Sequence, residues 1–133
     1  MSYIEQMFET HPRKFAQNEG LWVESITATW SCAESCVACA DACLGEDQVE
    51  MLRRCIRLCL DCAEVCEVTA RLLTRQTETD NSLIEAQLQA CIVACQVCGV
   101  ECERHSSDMA HCEICSIACH RCEKACQDLS AKL

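Results

Sequence analysis

Apolar positions in this chain recur with the three- and four-residue steps of an α-helix, and β-branched runs are scarce. One proline and three glycines leave long segments uninterrupted. The pattern predicts four long helices, over about 21–44, 47–75, 82–105 and 109–131. Gly45 is placed as the stop of the first helix, beyond its last turn. Asp47 with Glu50 is read as a capping pair opening the second, and Ser82 with Glu85 as a capping box opening the third. The polar stretch from Gln76 to Asn81 makes the longest connection, and Ser106-Ser107-Asp108 a short turn. Residues 1–20 form a leader with some amphipathic helical character (Tyr3, Ile4, Met7, Phe8, then Phe15), broken at His11-Pro12 and ended by a turn at Asn18-Glu19-Gly20. Short connections between helices of this length imply antiparallel neighbours. The expected fold is therefore all-α, an antiparallel up-down-up-down four-helix bundle over residues 21–131. The short N-terminal leader helix, residues 1–20, is expected to pack outside the bundle or on a neighbouring subunit.

What occupies the inward stripes changes the picture. Cysteines recur at spacings of four, three and four residues: Cys32, Cys36, Cys39, Cys43; Cys55, Cys59, Cys62, Cys66; Cys91, Cys95, Cys98, Cys102; and Cys115, Cys119, Cys122, Cys126, with Cys112 three residues ahead of the last set. At about 100° per residue such positions span an arc of roughly 60°, so each set is one stripe about 16 Å long. These units hold all seventeen cysteines. Leu and Ile would fill such stripes in an ordinary bundle.

The stripes end differently. Toward the end that carries the longest connection they continue as Leu21, Leu73, Ile84, Leu88, Leu129 and Leu133, an aliphatic plug. Toward the opposite end, the mouth, they continue as Met51, His105 and His111, with Met109 in the turn itself. These are soft and borderline metal ligands. A second, outward apolar stripe runs along Leu58, Val65 and Leu72 and along Val93, Val97 and Val100, which predicts cover by the leader or by another subunit.

A lone buried cysteine is a small hydrophobe, but seventeen in register call for another account. Thiols at i and i+4 of a helix do not readily meet disulfide torsions, and an odd count leaves one unpaired. The five C-x-x-C pairs (Cys36/Cys39, Cys59/Cys62, Cys95/Cys98, Cys112/Cys115, Cys119/Cys122) lie inside continuous helices without knuckle glycines, a weak zinc pattern. Iron–sulfur ligation draws on loops and has no use for so many thiols. Copper(I) is soft and selects thiolate. Eight i, i+4 pairs could each bracket one two-coordinate ion: 32/36, 39/43, 55/59, 62/66, 91/95, 98/102, 115/119 and 122/126, with Cys112 left near His105 and His111. Two readings remain: a store of many copper(I) ions, and an iron–sulfur or dithiol redox protein.

A net charge of −10 argues against nucleic acid and against anionic membrane surfaces. No apolar run is read as long enough to span a membrane, and the N-terminus shows no secretory pattern. The cytoplasm, where thiols stay reduced, is the expected compartment. His120, about 140° from its stripe, is expected to face solvent, as are Glu34, Asp61 and Glu101. His11 is expected to pack or cap in the leader, and Trp22 and Trp30 to be packing residues. No catalytic set is evident, so the chain is not read as an enzyme.

The fourfold C-x3-C-x2-C-x3-C pattern resembles the bacterial copper storage proteins, cysteine-lined four-helix bundles that hold many copper(I) ions. The likeness runs from the His11-Pro12 leader through Cys126. The stretches Cys39-Ala-Asp-Ala-Cys43-Leu-Gly-Glu, Leu60-Asp-Cys62-Ala and Cys102-Glu-Arg-His105 are similar to the cytosolic branch. That resemblance implies a homotetramer, copper admitted at the His- and Met-bearing end, and storage or detoxification instead of catalysis. Met109 stands where the resemblance leads one to expect histidine, and Cys59 where some relatives carry a non-cysteine ligand.

Overall fold

The computed structural model describes residues 1–14 and 17–133, so the leader position Phe15 lies outside the described residues. The chain forms α1 (Tyr3–Glu9), α2 (Glu19–Leu44), a 3-10 turn (Val49–Leu52), α3 (Arg53–Thr74), α4 (Asn81–Glu103) and α5 (Ala110–Ser130). Helices α2 to α5 make the antiparallel four-helix bundle, each packed mainly on two others: α2 and α4 both lie against α3 and α5. The short α1 leans on α2 through Ile4 and the buried Phe8 and leaves Tyr3 and Met7 exposed. Its start is a capping box, in which Ser2 Oγ accepts from the Glu5 N–H and the Glu5 carboxylate accepts from the Ser2 N–H. Beyond it, the Arg13 N–H donates to Nδ1 of His11 at 2.9 Å, so His11 does cap the turn of the leader.

Helix starts depart most from the sequence reading. Asn18 alone makes the turn before α2, in the left-handed region at φ 63°, and Glu19 and Gly20 are already helical. Gly45 is the C-cap of α2 at φ −84°, so its left-handed freedom is not used; its N–H closes the helix on Ala42 O at 3.0 Å and Asp41 O at 3.2 Å. Asp47 and Glu50 cap nothing: α3 begins after the 3-10 turn with Leu52 as N-cap and no side-chain bond. Burying Leu52, 0% exposed, under the bundle end outweighs the cap. The cap of α4 is Asp80, whose carboxylate accepts from the Leu83 N–H at 3.0 Å. Glu85 instead accepts from the Ser130 hydroxyl at 2.7 Å and ties α4 to the end of α5.

The plug is built as the stripes imply, with corrections at its edges. Ile26, Leu73, Ile84, Leu88 and Leu129 are buried, together with Trp22 and Phe8. Leu21 is half-buried, and Leu133 is 43% exposed past the end of α5, outside the plug. Trp30 is also partly exposed, in an apolar groove with Tyr3, Ile4 and Met7. Of the outward stripe, Leu58, Val65 and Leu72 are half-buried against the core, while Val93, Val97 and Val100 remain exposed. Contrary to the sequence reading, α4 contains a stretch long and apolar enough by composition to cross a membrane, although its cysteine face is buried in the bundle.

One close approach sets the α4–α5 spacing. A Cβ on Gly99 would lie 2.9 Å from His120 Cε1 and 3.3 Å from Cys119 Cβ. The ring cannot swing away freely, because Nε2 bonds Glu103 at 2.7 Å and Nδ1 bonds Glu123 at 3.2 Å. His120, expected in solvent, is thus a strut between α4 and α5. Gly99→Ala is expected to cost about 1–3 kcal/mol by overpacking. Adding His120→Ala should recover part of that in guanidinium unfolding of the metal-free protein. No recovery would place the clash on Cys119 instead.

Candidate metal site

All seventeen cysteines are free and buried, Cys39 at 2% exposed and the others at 0%. The antiparallel arrangement faces the early cysteines of α2 and α4 with the late ones of α3 and α5. Their sulfurs meet across helices: Cys66 Sγ is 3.6 Å from Cys95 Sγ and 3.9 Å from Cys122 Sγ. Cys36 Sγ is 3.7 Å from Cys119 Sγ and 3.8 Å from Cys115 Sγ. Contacts at i, i+4 occur too, as Cys32–Cys36 at 3.9 Å, Cys62–Cys66 at 3.8 Å and Cys91–Cys95 at 4.0 Å. Cross-helix contacts outnumber them, because each stripe faces two neighbours.

Among the described residues six groups have all their ligand atoms within 4.8 Å of one another, and five four-membered ones follow one another along the bundle. From the plug outward they are Cys32/Cys66/Cys95/Cys122, Cys32/Cys36/Cys62/Cys119, Cys36/Cys98/Cys115/Cys119, Cys39/Cys59/Cys102/Cys115 and Cys39/Cys43/His111/Cys112. Each shares a residue with the next: Cys32, then Cys36 and Cys119, then Cys115, then Cys39. The groups form a ladder running the length of the bundle, and in these five the shared rungs all come from α2 and α5. Cys55 joins at the mouth side, its Sγ 3.8 Å from Cys102 Sγ; Cys91 joins near the plug, 3.9 Å from Cys66. Cys126 is buried beyond Cys122.

At the mouth, His111 is the half-buried member of an otherwise buried group. Its Nδ1 lies 3.4 Å from Cys39 Sγ and 3.6 Å from Cys112 Sγ, and its Nε2 lies 3.0 Å from Glu46. His105 turns Nε2 to Glu101 at 3.0 Å. Glu101 is buried, contrary to its expected solvent position, with Arg104 at 3.6 Å and Arg54 at 3.7 Å outside it. The signal for it was the i, i+4 spacing of Glu101 and His105; for Glu46 only the meeting of two turns at one end could have shown it. Met109 is the N-cap of α5, half-buried against the core. Met51 is 63% exposed on the 3-10 turn.

Burial disfavours thiolate throughout the tube, while S–H contacts from neighbouring cysteines push Cys32, Cys55, Cys62, Cys91, Cys98 and Cys115 below the ordinary thiol range. Burial, then the charges of neighbouring thiols, pushes Cys43 up to about 11 and Cys112 up to about 12. Cys36, Cys66 and Cys95 are pushed above the ordinary thiol range by S–H contacts, with Cys115 first for Cys36 and Cys122 first for the other two, and then by burial. Among the described residues classed as buried, Glu101 is the one charged side chain. A divalent ion held by four thiolates would leave two buried negative charges without a partner. An ion that displaces as many protons as it carries charges leaves the interior neutral, and a soft monovalent ion of low coordination number does so without drawing in further thiolates. The arrangement therefore suits many soft monovalent cations.

A helical bundle with a ladder of buried thiols for a core is built to hold soft metal ions. Residues 19–131 match the copper storage protein family (Csp), and the chain belongs to it. It is similar to the copper storage protein Ccsp of Streptomyces lividans, loaded with 10 copper equivalents, at 42% identity over 98% of this chain and 99% of that one, with a TM-score of 0.95. A five-copper structure of the cytosolic copper storage protein from Streptomyces lividans matches at 46% identity, covering 86% and 95% of the two chains, with a TM-score of 0.85. The uncharacterized cysteine-rich protein YhjQ of Bacillus subtilis is 32% identical over 106 residues, 80% of this chain and 93% of that protein.

Proposed function

We propose that this protein stores many copper(I) ions in its thiol tube, with Cys32, Cys36, Cys39, Cys43, Cys55, Cys59, Cys62, Cys66, Cys91, Cys95, Cys98, Cys102, Cys112, Cys115, Cys119, Cys122 and Cys126 as thiolate ligands. The observation that carries this is the ladder of linked, buried thiol groups along the bundle. Ions are admitted at the mouth, through His111 and His105 beside Met109. Exposed Met51 serves at most as a first docking point outside the tube. Storage involves no turnover. The compartment is the cytoplasm, in keeping with the description of the Streptomyces relative as cytosolic. The assembly is a homotetramer, supported by the exposed Val93, Val97 and Val100 on one face of α4.

Anaerobic titration of the fully reduced protein with copper(I), against a strong chelator, tests this reading. The expected end point approaches the thiol count of 17 without visible colour. Saturation at one or two ions would overturn it. Visible absorption of the protein purified from iron-replete cells would favour an iron–sulfur redox role.

A further inference from the structure

Two turns meet at the mouth, and one contact joins them. Glu46 follows Gly45 in the α2–α3 connection, and His111 lies in the first turn of α5. Oε1 of Glu46 is 3.0 Å from Nε2 of His111, while Nδ1 on the other side of the ring faces Cys39 at 3.4 Å and Cys112 at 3.6 Å. An ionised carboxylate only accepts, so the ring nitrogen facing it carries a hydrogen; in the neutral ring the opposite nitrogen then holds the lone pair. Such carboxylate–histidine pairs orient metal-ligating imidazoles in general.

We propose that Glu46 is the positioning residue of the mouth, fixing His111 as the Nε2–H tautomer and aiming the Nδ1 lone pair at the Cys39 and Cys112 thiols. The copper reading supplies the identity of the ion; the tautomer does not depend on it. In the empty protein Nδ1 faces both thiols and accepts an S–H from one of them. An arriving copper(I) ion binds that lone pair as it leaves a ligand of its carrier. It then bonds Cys39 Sγ, and the thiol proton passes to solvent at the half-buried ring. The first protein ligand is thus neutral and already aimed. Sequence alone hides this role, since residues 46 and 111 are 65 positions apart.

The test reads the tautomer directly. Long-range proton–nitrogen correlation spectra of the 15N-labelled, reduced, metal-free protein in mildly alkaline buffer should show His111 protonated at Nε2. Glu46→Ala should mix the two tautomers. It should also slow uptake of the first copper(I) ions about ten-fold or more, with final capacity unchanged. Glu46→Gln keeps an oxygen that accepts from Nε2–H and should restore both readouts. Glu34→Ala, an exposed acidic residue on α2, controls for lost charge and should change neither. A wild-type ring protonated at Nδ1 overturns the proposal. So does a Glu46→Ala variant with unchanged tautomer and rate, or a Glu46→Gln variant as slow as Glu46→Ala. If the wild-type protein binds no copper(I), the storage reading falls, and the tautomer still decides the role of Glu46.

Discussion

Filling the tube with copper(I) is expected to raise resistance to denaturant more than any single substitution can. Between the mouth and the plug the core is made of thiols, each a small hydrophobe where a typical bundle has Leu or Ile. The empty protein therefore rests on the plug and on the helix–helix contacts around the tube. An ion that binds only the folded chain adds about 4 kcal/mol when its free concentration is a thousand times its Kd. Five ions, one for each of the five groups traced along the ladder, would add on the order of 20 kcal/mol, more than the roughly 5–15 kcal/mol of an ordinary domain. Thiols of the unfolded chain also bind copper and take back part of this. The remainder should still carry the loaded protein past the guanidinium concentration that unfolds the empty one. Far-UV circular dichroism under anaerobic conditions measures it, and a strong copper(I) chelator should reverse it. Coincident midpoints for empty and loaded protein would mean that the ions sit outside the folded core.

The second large effect is expected at Cys39. It belongs to the mouth group with His111 and to the next group with Cys59, Cys102 and Cys115, and it is the residue those two share. A shared thiolate can bond the next ion position before it releases the last. Cys39→Ser removes that step, because a hydroxyl is a hard, poor ligand for copper(I). Ions should then fill the mouth and stall, with uptake into the deeper groups slowed about ten-fold or more. Cys98→Ser is the comparison: in the five groups Cys98 appears once. It should lower capacity slightly and leave the rate nearly intact. Stopped-flow absorption of the copper–thiolate bands, with native mass spectrometry of partly loaded protein, separates the two outcomes. Equal slowing by both variants would show that ions reach the depth by a route other than the ladder.

The four helices and their inward faces were legible because the cysteine stripes repeat at helical spacing and polar connections separate them. Helix starts were less so. Asp47, Glu50, Ser82 and Glu85 all have the residue types of caps, but Leu52 is drawn into the core and Asp80 reaches the Leu83 N–H first. Local patterns are overruled where burial or a nearer acceptor wins. At the site, the stripes identified which residues face inward; the sharing between groups depends on the offset of antiparallel helices, which no spacing within a helix encodes. Glu101 shows a related limit. It lies off the cysteine arc, yet the bundle end closes over it because His105 one turn later needs an acceptor.

The aliphatic seal formed by Ile26, Leu73, Ile84, Leu88 and Leu129 imposes an order on the contents. A channel with two openings exchanges its cargo from both sides, whereas a blind one works as a stack: the last ion in is the first out. Ions nearest Cys91, Cys122 and Cys126 would be the oldest in the protein and the slowest to turn over. A brief pulse of isotopically distinct copper given to a nearly full store should leave again almost undiluted.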